Sequence, residues 1–179
     1  MRLNTQEKFV RVSTASGALP YVVDWPVAAS QTIKKGDFLI ISSGASTCEQ
    51  AIALPGSNST ETSSGSVSIL GVAMADITTT ASVSEATDRI PVALANDDLR
   101  ILLPIYNSSA SAAEPQDLTR GTAYQLSRWR GTASTIWWYA VDTGTSNGEL
   151  IYVNRSSAND EDYGKVWVTV ASASQALIA

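Results

Sequence analysis

The sequence predicts an all-β protein, a small barrel or sandwich with an extended N-terminal arm and long loops. Short apolar runs rich in Val, Ile, Leu and aromatic residues recur along the 179-residue chain, and turn-prone residues separate them. Only residues 82–87 and 171–179 have a composition that suits short helices, and no segment has the period of an amphipathic helix. Short strands at such spacing are typical of β-sandwiches and β-barrels.

Residues 1–32 predict an N-terminal arm or an edge segment. The stretch from Phe9 to Trp25 contains aromatic residues with little periodicity, which suits a segment that gains order by docking on a neighbour. Pro26 lacks a backbone N–H, so this stretch cannot be a central strand.

Residues 33–106 predict the core of the barrel. Its centre is the run SVSILGVAMADI at residues 66–77, which is apolar on both faces and therefore predicts a strand that is buried on two sides. Gly71 in the middle of this run predicts a bend or a close approach of another backbone. Before it, Lys35-Gly36-Asp37 predicts a turn into a strand at 38–41.

Polar segments divide the rest of the chain. Residues 55–66 are almost entirely small and polar, and predict an exposed, mobile loop. Asn96-Asp97-Asp98 predicts the turn of a hairpin between strands at 89–94 and 99–105. The low-complexity residues 107–117 predict a connector. Residues 118–171 then form either a second β lobe or part of the same barrel, and 172–179 form a tail.

Composition excludes several classes of function. The chain has no His, so Ser-His-Asp and Cys-His catalysis and His-ligated zinc are excluded. A net charge of −5 without a basic stripe disfavours nucleic-acid binding. No apolar run approaches the ~18 residues of a membrane span. The single Cys48 is expected to be a buried small hydrophobe in a protein made in the cytoplasm.

Two acidic motifs invite a chemical interpretation. Asp142-Thr143-Gly144 resembles the signature of aspartic proteases, but their chemistry needs two carboxylates that share a proton, and the chain has one such triplet. We interpret it as the start of a hairpin loop. The acidic run at 159–164 does not have the spacing of an EF-hand loop, so we interpret it as a solvated turn. The sequence therefore predicts no catalytic residue, no metal site and no cofactor.

Aromatic and basic residues provide the candidate contact sites. Trp and Arg are enriched at the energetic centres of protein interfaces, and Arg128-Trp129-Arg130 lies in a segment that we expect to be turn-like. The alternative is a loop that packs on its own barrel. The predicted partner-binding residues are Phe9, Tyr21, Trp25, Arg128, Trp129 and Arg130.

A set of short motifs over residues 33–170 resembles a protein family. The motifs are Lys35-Gly36-Asp37, Ile69-Leu70-Gly71-Val72-Ala73, Ile90-Pro91-Val92 and Arg120-Gly121-Thr122-Ala123-Tyr124. In this order they resemble the head decoration, or cement, proteins of tailed bacteriophages. The resemblance implies a homotrimeric structural protein on the exterior of the virion, which binds the major capsid protein, stabilises its lattice and needs no cofactor. The alternatives are a carbohydrate-binding β-sandwich module and a carboxylate-based hydrolase.

Overall fold

The computed structural model describes residues 10–43, 46–52, 59–62, 67–106, 116, 118–130, 136–144, 148–155 and 164–177. For residues 59–62, 106, 130, 136–139 and 141–144 it describes the backbone alone. The predicted arm residue Phe9 and most of the predicted connector at 107–117 lie outside the described residues, as does the acidic run at 159–163.

The described residues confirm the all-β prediction, because they contain no α-helix and their 3-10 segments are short, as at Ser172–Ser174. The strands are β1 (Arg11–Thr14), β2 (Val22–Pro26), β3 (Thr32–Ile33), β4 (Phe38–Ile41), β5 (Cys48–Gln50), β6 (Ser59–Thr62), β7 (Ile69–Ala73), β8 (Ile77–Thr78), β9 (Arg89–Leu94), β10 (Leu99–Tyr106), β11 (Ala123–Arg130), β12 (Ile136–Gly144), β13 (Leu150–Arg155) and β14 (Lys165–Val170).

Two curled sheets form the body of a sandwich. The larger sheet has the order β1-β10-β12-β11-β13-β14, with β6 added beside β11 and a further pairing between β10 and β14. The smaller sheet has the order β2-β9-β7-β4-β5, and β3 pairs with β8 in a separate ribbon. At one point the ends of the smaller sheet meet through a bridge between Val27 and Cys48.

The central strand β7 is buried on both faces, as the sequence predicted. Ile69 and Val72 belong to the apolar cluster between the two sheets, and Leu70 and Ala73 belong to a second cluster on the other face. The strand lies between β4 and β9 in the middle of the smaller sheet. It is shorter than the predicted 66–77, because the chain turns after Ala73 and forms the separate strand β8.

Gly71 permits a close approach of two backbones. A Cβ at this position would collide with the carbonyl oxygen of Ala93 and lie 2.8 Å from Cγ1 of Val92. The β4–β7 register also shifts here, because Leu39 pairs with Gly71 whereas Ile40 pairs with Ile69. An irregularity beside a glycine in a strand interior is what the sequence predicted.

The predicted turn before β4 is present. Gly36 has φ +93°, a left-handed conformation that favours glycine. The Asp37 N–H donates to the Lys34 carbonyl at 2.9 Å, and the Lys34 N–H donates to Oδ2 of Asp37 at 2.9 Å. Asp37 therefore closes the turn through its side chain as well as its backbone.

The predicted hairpin at 89–105 is wrong. Strand β9 belongs to the smaller sheet and β10 to the larger, so residues 95–98 cross from one sheet to the other. The residues nevertheless form the expected polar turn, because Oδ1 of Asn96 accepts the N–H groups of Asp98 at 3.0 Å and Leu99 at 2.8 Å. A polar turn between two apolar strands does not specify whether those strands pair with each other or with different partners.

Two predicted polar segments contain strand residues. Within the predicted loop at 55–66, β6 pairs with β11 from Ser59 to Thr62. The predicted turn at Asp142-Thr143-Gly144 is also wrong in position, because β12 continues to Gly144, which pairs with Tyr124. In both cases a neighbouring strand supplies hydrogen-bond partners that turn propensity does not anticipate.

Residues 10–32, predicted as part of an arm or edge segment, provide edge strands of both sheets. Strand β1 pairs with β10 alone at the end of the larger sheet, and β2 is the end strand of the smaller sheet. After the predicted connector, β12 and β14 both pair with β10. In the tail, Gln175 bridges Ile69 at the start of β7.

Candidate interaction surface

The connection between β1 and β2 exposes an apolar patch, which we define as Leu19, Tyr21 and Val22. Leu19 is 92% exposed, Tyr21 66% and Val22 43%. Among the described residues, Leu177 in the tail is the one other large hydrophobic side chain with comparable exposure. Single exposed apolar residues are ordinary, but three within four consecutive positions, at the end of this loop and the start of β2, indicate a contact surface.

Hydrogen bonds hold the loop that presents the patch. The Ala15 N–H donates to the Asp98 carbonyl at 2.8 Å, and the Thr14 hydroxyl donates to the Ala18 carbonyl at 2.5 Å. At the far end, the Leu94 N–H donates to the Tyr21 carbonyl at 2.9 Å. The patch is therefore presented on an ordered backbone, which reduces the entropy lost when a partner binds.

The side chain of Asp98 adds two hydrogen bonds to this loop. Its Oδ1 accepts the Ser16 N–H at 2.9 Å and its Oδ2 accepts the Ser16 hydroxyl at 2.7 Å. Because both bonds favour the ionised carboxylate, the Ser16 hydroxyl and N–H lower the pKa of Asp98 below its ordinary value. The loop is thus tied to the connection between the two sheets.

The patch continues into β2, whose outer edge has no strand partner among the described residues except at the bridge from Val27. This edge is poorly suited to accept another strand. Pro26 has no N–H to donate, and the Arg89 guanidinium donates to the Asp24 carbonyl at 2.6 Å. We therefore expect a partner to contact side chains here rather than extend the sheet.

Trp25 faces inward from the same strand. Its indole packs against the second apolar cluster, and its Nε1 donates to the Ser46 carbonyl at 2.9 Å. Of the predicted contact residues in the arm, Tyr21 is exposed and Trp25 is half-buried with its polar atom satisfied within the chain. Leu19 was not among the predicted contact residues, although its place between the turn-forming residues Gly17 and Pro20 could have indicated an exposed leucine.

No family model, curated protein or solved structure matches this chain.

The predicted contact patch at 128–130 is not a turn, because these residues lie in β11 between β12 and β6. The sequence suggested that Arg128 is exposed, but it is buried, with 1% of its side chain accessible. Its Nη1 donates to Oε1 of Gln50 at 2.9 Å and to the Ile52 carbonyl at 2.8 Å. Trp129 is half-buried, and of Arg130 only the backbone is described.

Arg128 joins the two sheets through a buried polar group. Its Nη2 lies 3.7 Å from Oδ2 of Asp37, which also accepts Nε2 of Gln50 at 2.8 Å. Burial lowers the pKa of Arg128, and the nearby Asp37 carboxylate opposes this effect. Since a surface turn and a sheet interior can contain the same residues, the sequence could not distinguish an interface arginine from this internal one.

A groove of about 460 Å³ lies at the other end of β1 from the apolar patch. Val12, Val72 and Met74 provide apolar lining, and Arg11 and Lys35 are the charged residues in its wall. Val10, the first described residue, also lines it.

The described residues contain no group of three or more His, Cys, Asp or Glu side chains that could hold a metal ion. In the same part of the chain no helix is long and apolar enough to cross a membrane. The buried Glu149 accepts backbone N–H groups of Leu126 at 3.3 Å and Val67 at 3.5 Å, so its carboxylate holds two backbone segments together. The side chain of Asp142 lies outside the described residues.

Proposed function

We propose that this protein is a structural virion protein that binds the outside of a tailed-phage capsid and stabilises the lattice of the major capsid protein. The sequence likeness to head decoration proteins supports this proposal. The ordered, exposed apolar patch supports it independently, because a protein that binds an assembled shell needs a contact surface and no reactive centre.

The exposure of Leu19 is the observation that carries the proposal. A leucine that is 92% exposed gains little within its own chain, and hydrogen bonds fix the loop that presents it. Apolar side chains on ordered backbones make effective anchors in a partner's pocket, since few degrees of freedom are lost on binding. Tyr21 beside it adds an aromatic contact and a hydroxyl for a polar partner group.

Decoration would stabilise the shell by mass action. A protein that binds the assembled lattice and not its dissociated subunits contributes RT ln(1 + [L]/Kd), about 2.7 kcal/mol per site at a hundredfold excess over Kd. Repetition of this contribution over symmetry-related sites opposes loss of a capsomer, even when each site is weak.

The test is binding to expanded heads that lack this protein, prepared from the phage that encodes it. Wild type should bind at saturable sites and raise the temperature at which the heads disrupt. The double variant Leu19→Ser/Tyr21→Ser should lose both effects and keep the wild-type melting temperature of the isolated protein. Leu177→Ser is the matched control, because it removes an exposed leucine from a different segment, and it should bind as wild type does.

Two outcomes contradict the proposal at different levels. If wild-type protein does not bind any form of the heads, the decoration function is wrong. If it binds and the double variant binds equally well, the function stands but the apolar patch is not the contact surface.

A further inference from the structure

The position of the apolar patch depends on a contact with a distant part of the chain. Leu19 lies three residues after Ser16, whose backbone N–H and hydroxyl both donate to the carboxylate of Asp98. The Ser16 hydroxyl also lies 3.4 Å from the Ala18 N–H, which donates to it. The backbone just before Leu19 is therefore held by hydrogen bonds that begin at Asp98.

Asp98 is itself fixed in place. Its N–H donates to Oδ1 of Asn96 at 3.0 Å, and the next residue, Leu99, pairs with Thr14 at the end of β1. Its carbonyl accepts the Ala15 N–H at 2.8 Å. The carboxylate thus extends from a constrained turn toward the loop. Its position is set by residues 95–98, where the chain crosses from one sheet to the other.

The neighbouring charged groups have other roles. Asp97 accepts the Ser172 hydroxyl at 3.1 Å and Nε2 of Gln175 at 3.0 Å, so it orders the tail and not the loop. Nη1 of Arg100 donates to the Asp97 carbonyl at 2.7 Å and attracts the Asp98 carboxylate only through its charge. Asp98 is the acid in this turn that contacts the patch-bearing loop.

We propose that Asp98 is a positioning residue for partner binding, which holds Leu19 and Tyr21 in their binding-competent arrangement through Ser16. This inference rests on the proposed function of the patch. Asp98 acts on the loop and does not itself contact the partner. Without this contact the loop samples other conformations, and the apparent affinity falls in proportion to the fraction that remains competent.

The test compares three substitutions in the full chain. Asp98→Ala removes both acceptors and should weaken binding to heads on the order of tenfold, if about a tenth of the loop population stays competent. Asp98→Asn keeps an acceptor for the Ser16 N–H and a polar group for its hydroxyl, so it should keep most of the affinity. Asp97→Ala, the matched control, should bind as wild type does.

Cleavage by chymotrypsin after Tyr21 gives a measurement that does not depend on heads. Asp98→Ala should be cleaved faster than wild type at this bond while its melting temperature stays close to that of wild type. Equal cleavage and equal head binding for Asp98→Ala and wild type would overturn the inference. Loss of binding in both Asp98→Asn and Asp98→Ala, with cleavage at the wild-type rate in both, would also overturn it, because the loop would then be intact and the negative charge would be acting directly on the partner.

These outcomes separate this inference from the proposed function. If Leu19→Ser/Tyr21→Ser binds as wild type does, the patch is not the contact surface and the proposed contact fails. If that variant fails to bind while Asp98→Ala binds normally, the patch is the contact surface and only the positioning role of Asp98 is wrong.

Discussion

The carboxylate of Asp37 and the guanidinium of Arg128 lie 3.7 Å apart with both side chains almost fully buried, and they connect the turn before β4 to β11. This buried pair joins the smaller sheet to the larger one. Lys34 and Asp76 form a second ion pair at 3.0 Å near the same turn, but their side chains are 58% and 59% exposed. A comparison of the two pairs shows how burial changes the contribution of an ion pair to stability.

Removal of the buried cation should destabilise the protein much more than removal of the exposed one. Arg128→Met leaves the buried Asp37 carboxylate without its cation, and breaking a buried pair costs about 3–5 kcal/mol of the free energy of unfolding. Lys34→Met should cost less than about 1 kcal/mol, because water screens the exposed pair. Urea unfolding of the two variants measures both values, and equal losses would contradict the assignment of Arg128 to the interior.

A side chain at Gly71 should be poorly tolerated. Gly71→Val places a Cβ against the Ala93 carbonyl between β7 and β9, and we expect a loss of about 3 kcal/mol or more from overpacking. Ala81→Val is the control, since Ala81 is exposed and surface substitutions usually change stability by no more than about 0.5 kcal/mol. Similar melting temperatures for the two variants would show that β7 is not the centre of the smaller sheet.

The thiol of Cys48 should be unreactive in the folded protein. Cys48 is fully buried, and burial raises its pKa from 9.0 to about 12, so little thiolate forms at neutral pH. A thiol reagent should label the protein only after it is unfolded. Rapid labelling of the native state, or a dimer that dissociates on addition of reductant, would contradict this prediction.

The contact between Asp98 and Ser16 should persist until strongly acidic pH. A lowered pKa in the folded protein means that this contact contributes stability above the ordinary carboxyl value of 3.8 and loses it as the pH falls below that value. In an NMR titration, Ser16→Ala should raise the pKa of Asp98 toward 3.8. The pKa of Asp76, which the Lys35 N–H and Lys34 lower, should stay unchanged as an internal reference. An unchanged pKa of Asp98 in the variant would contradict the observed hydrogen bonds.

Local pattern was sufficient to predict several parts of the fold. The alternation in β14, where Val166, Val168 and Val170 are buried, follows directly from the two-residue period of a strand. The apolar run around Gly71 predicted a strand buried on two faces, and the Lys35-Gly36-Asp37 turn was also predicted correctly. In each case residues close in sequence determine the outcome.

The errors arose where partners are distant in sequence. Whether β9 pairs with β10 depends on the other strands available, and the turn between them has the same composition in either arrangement. The burial of Arg128 depends on Asp37 and Gln50, which no local pattern connects to it. The apolar patch was found only in part, because Tyr21 was recognised as an aromatic contact whereas the exposure of Leu19 depends on the loop that Asp98 holds.

The proposed decoration function is best tested by cryo-electron microscopy of phage particles whose genome encodes this chain. We expect density for this protein at repeated, symmetry-related positions on the outer face of the shell, with Leu19 and Tyr21 in contact with the major capsid protein. Particles whose outer shell carries no density for this protein, in a preparation where the protein is made, would show that it is not a decoration protein.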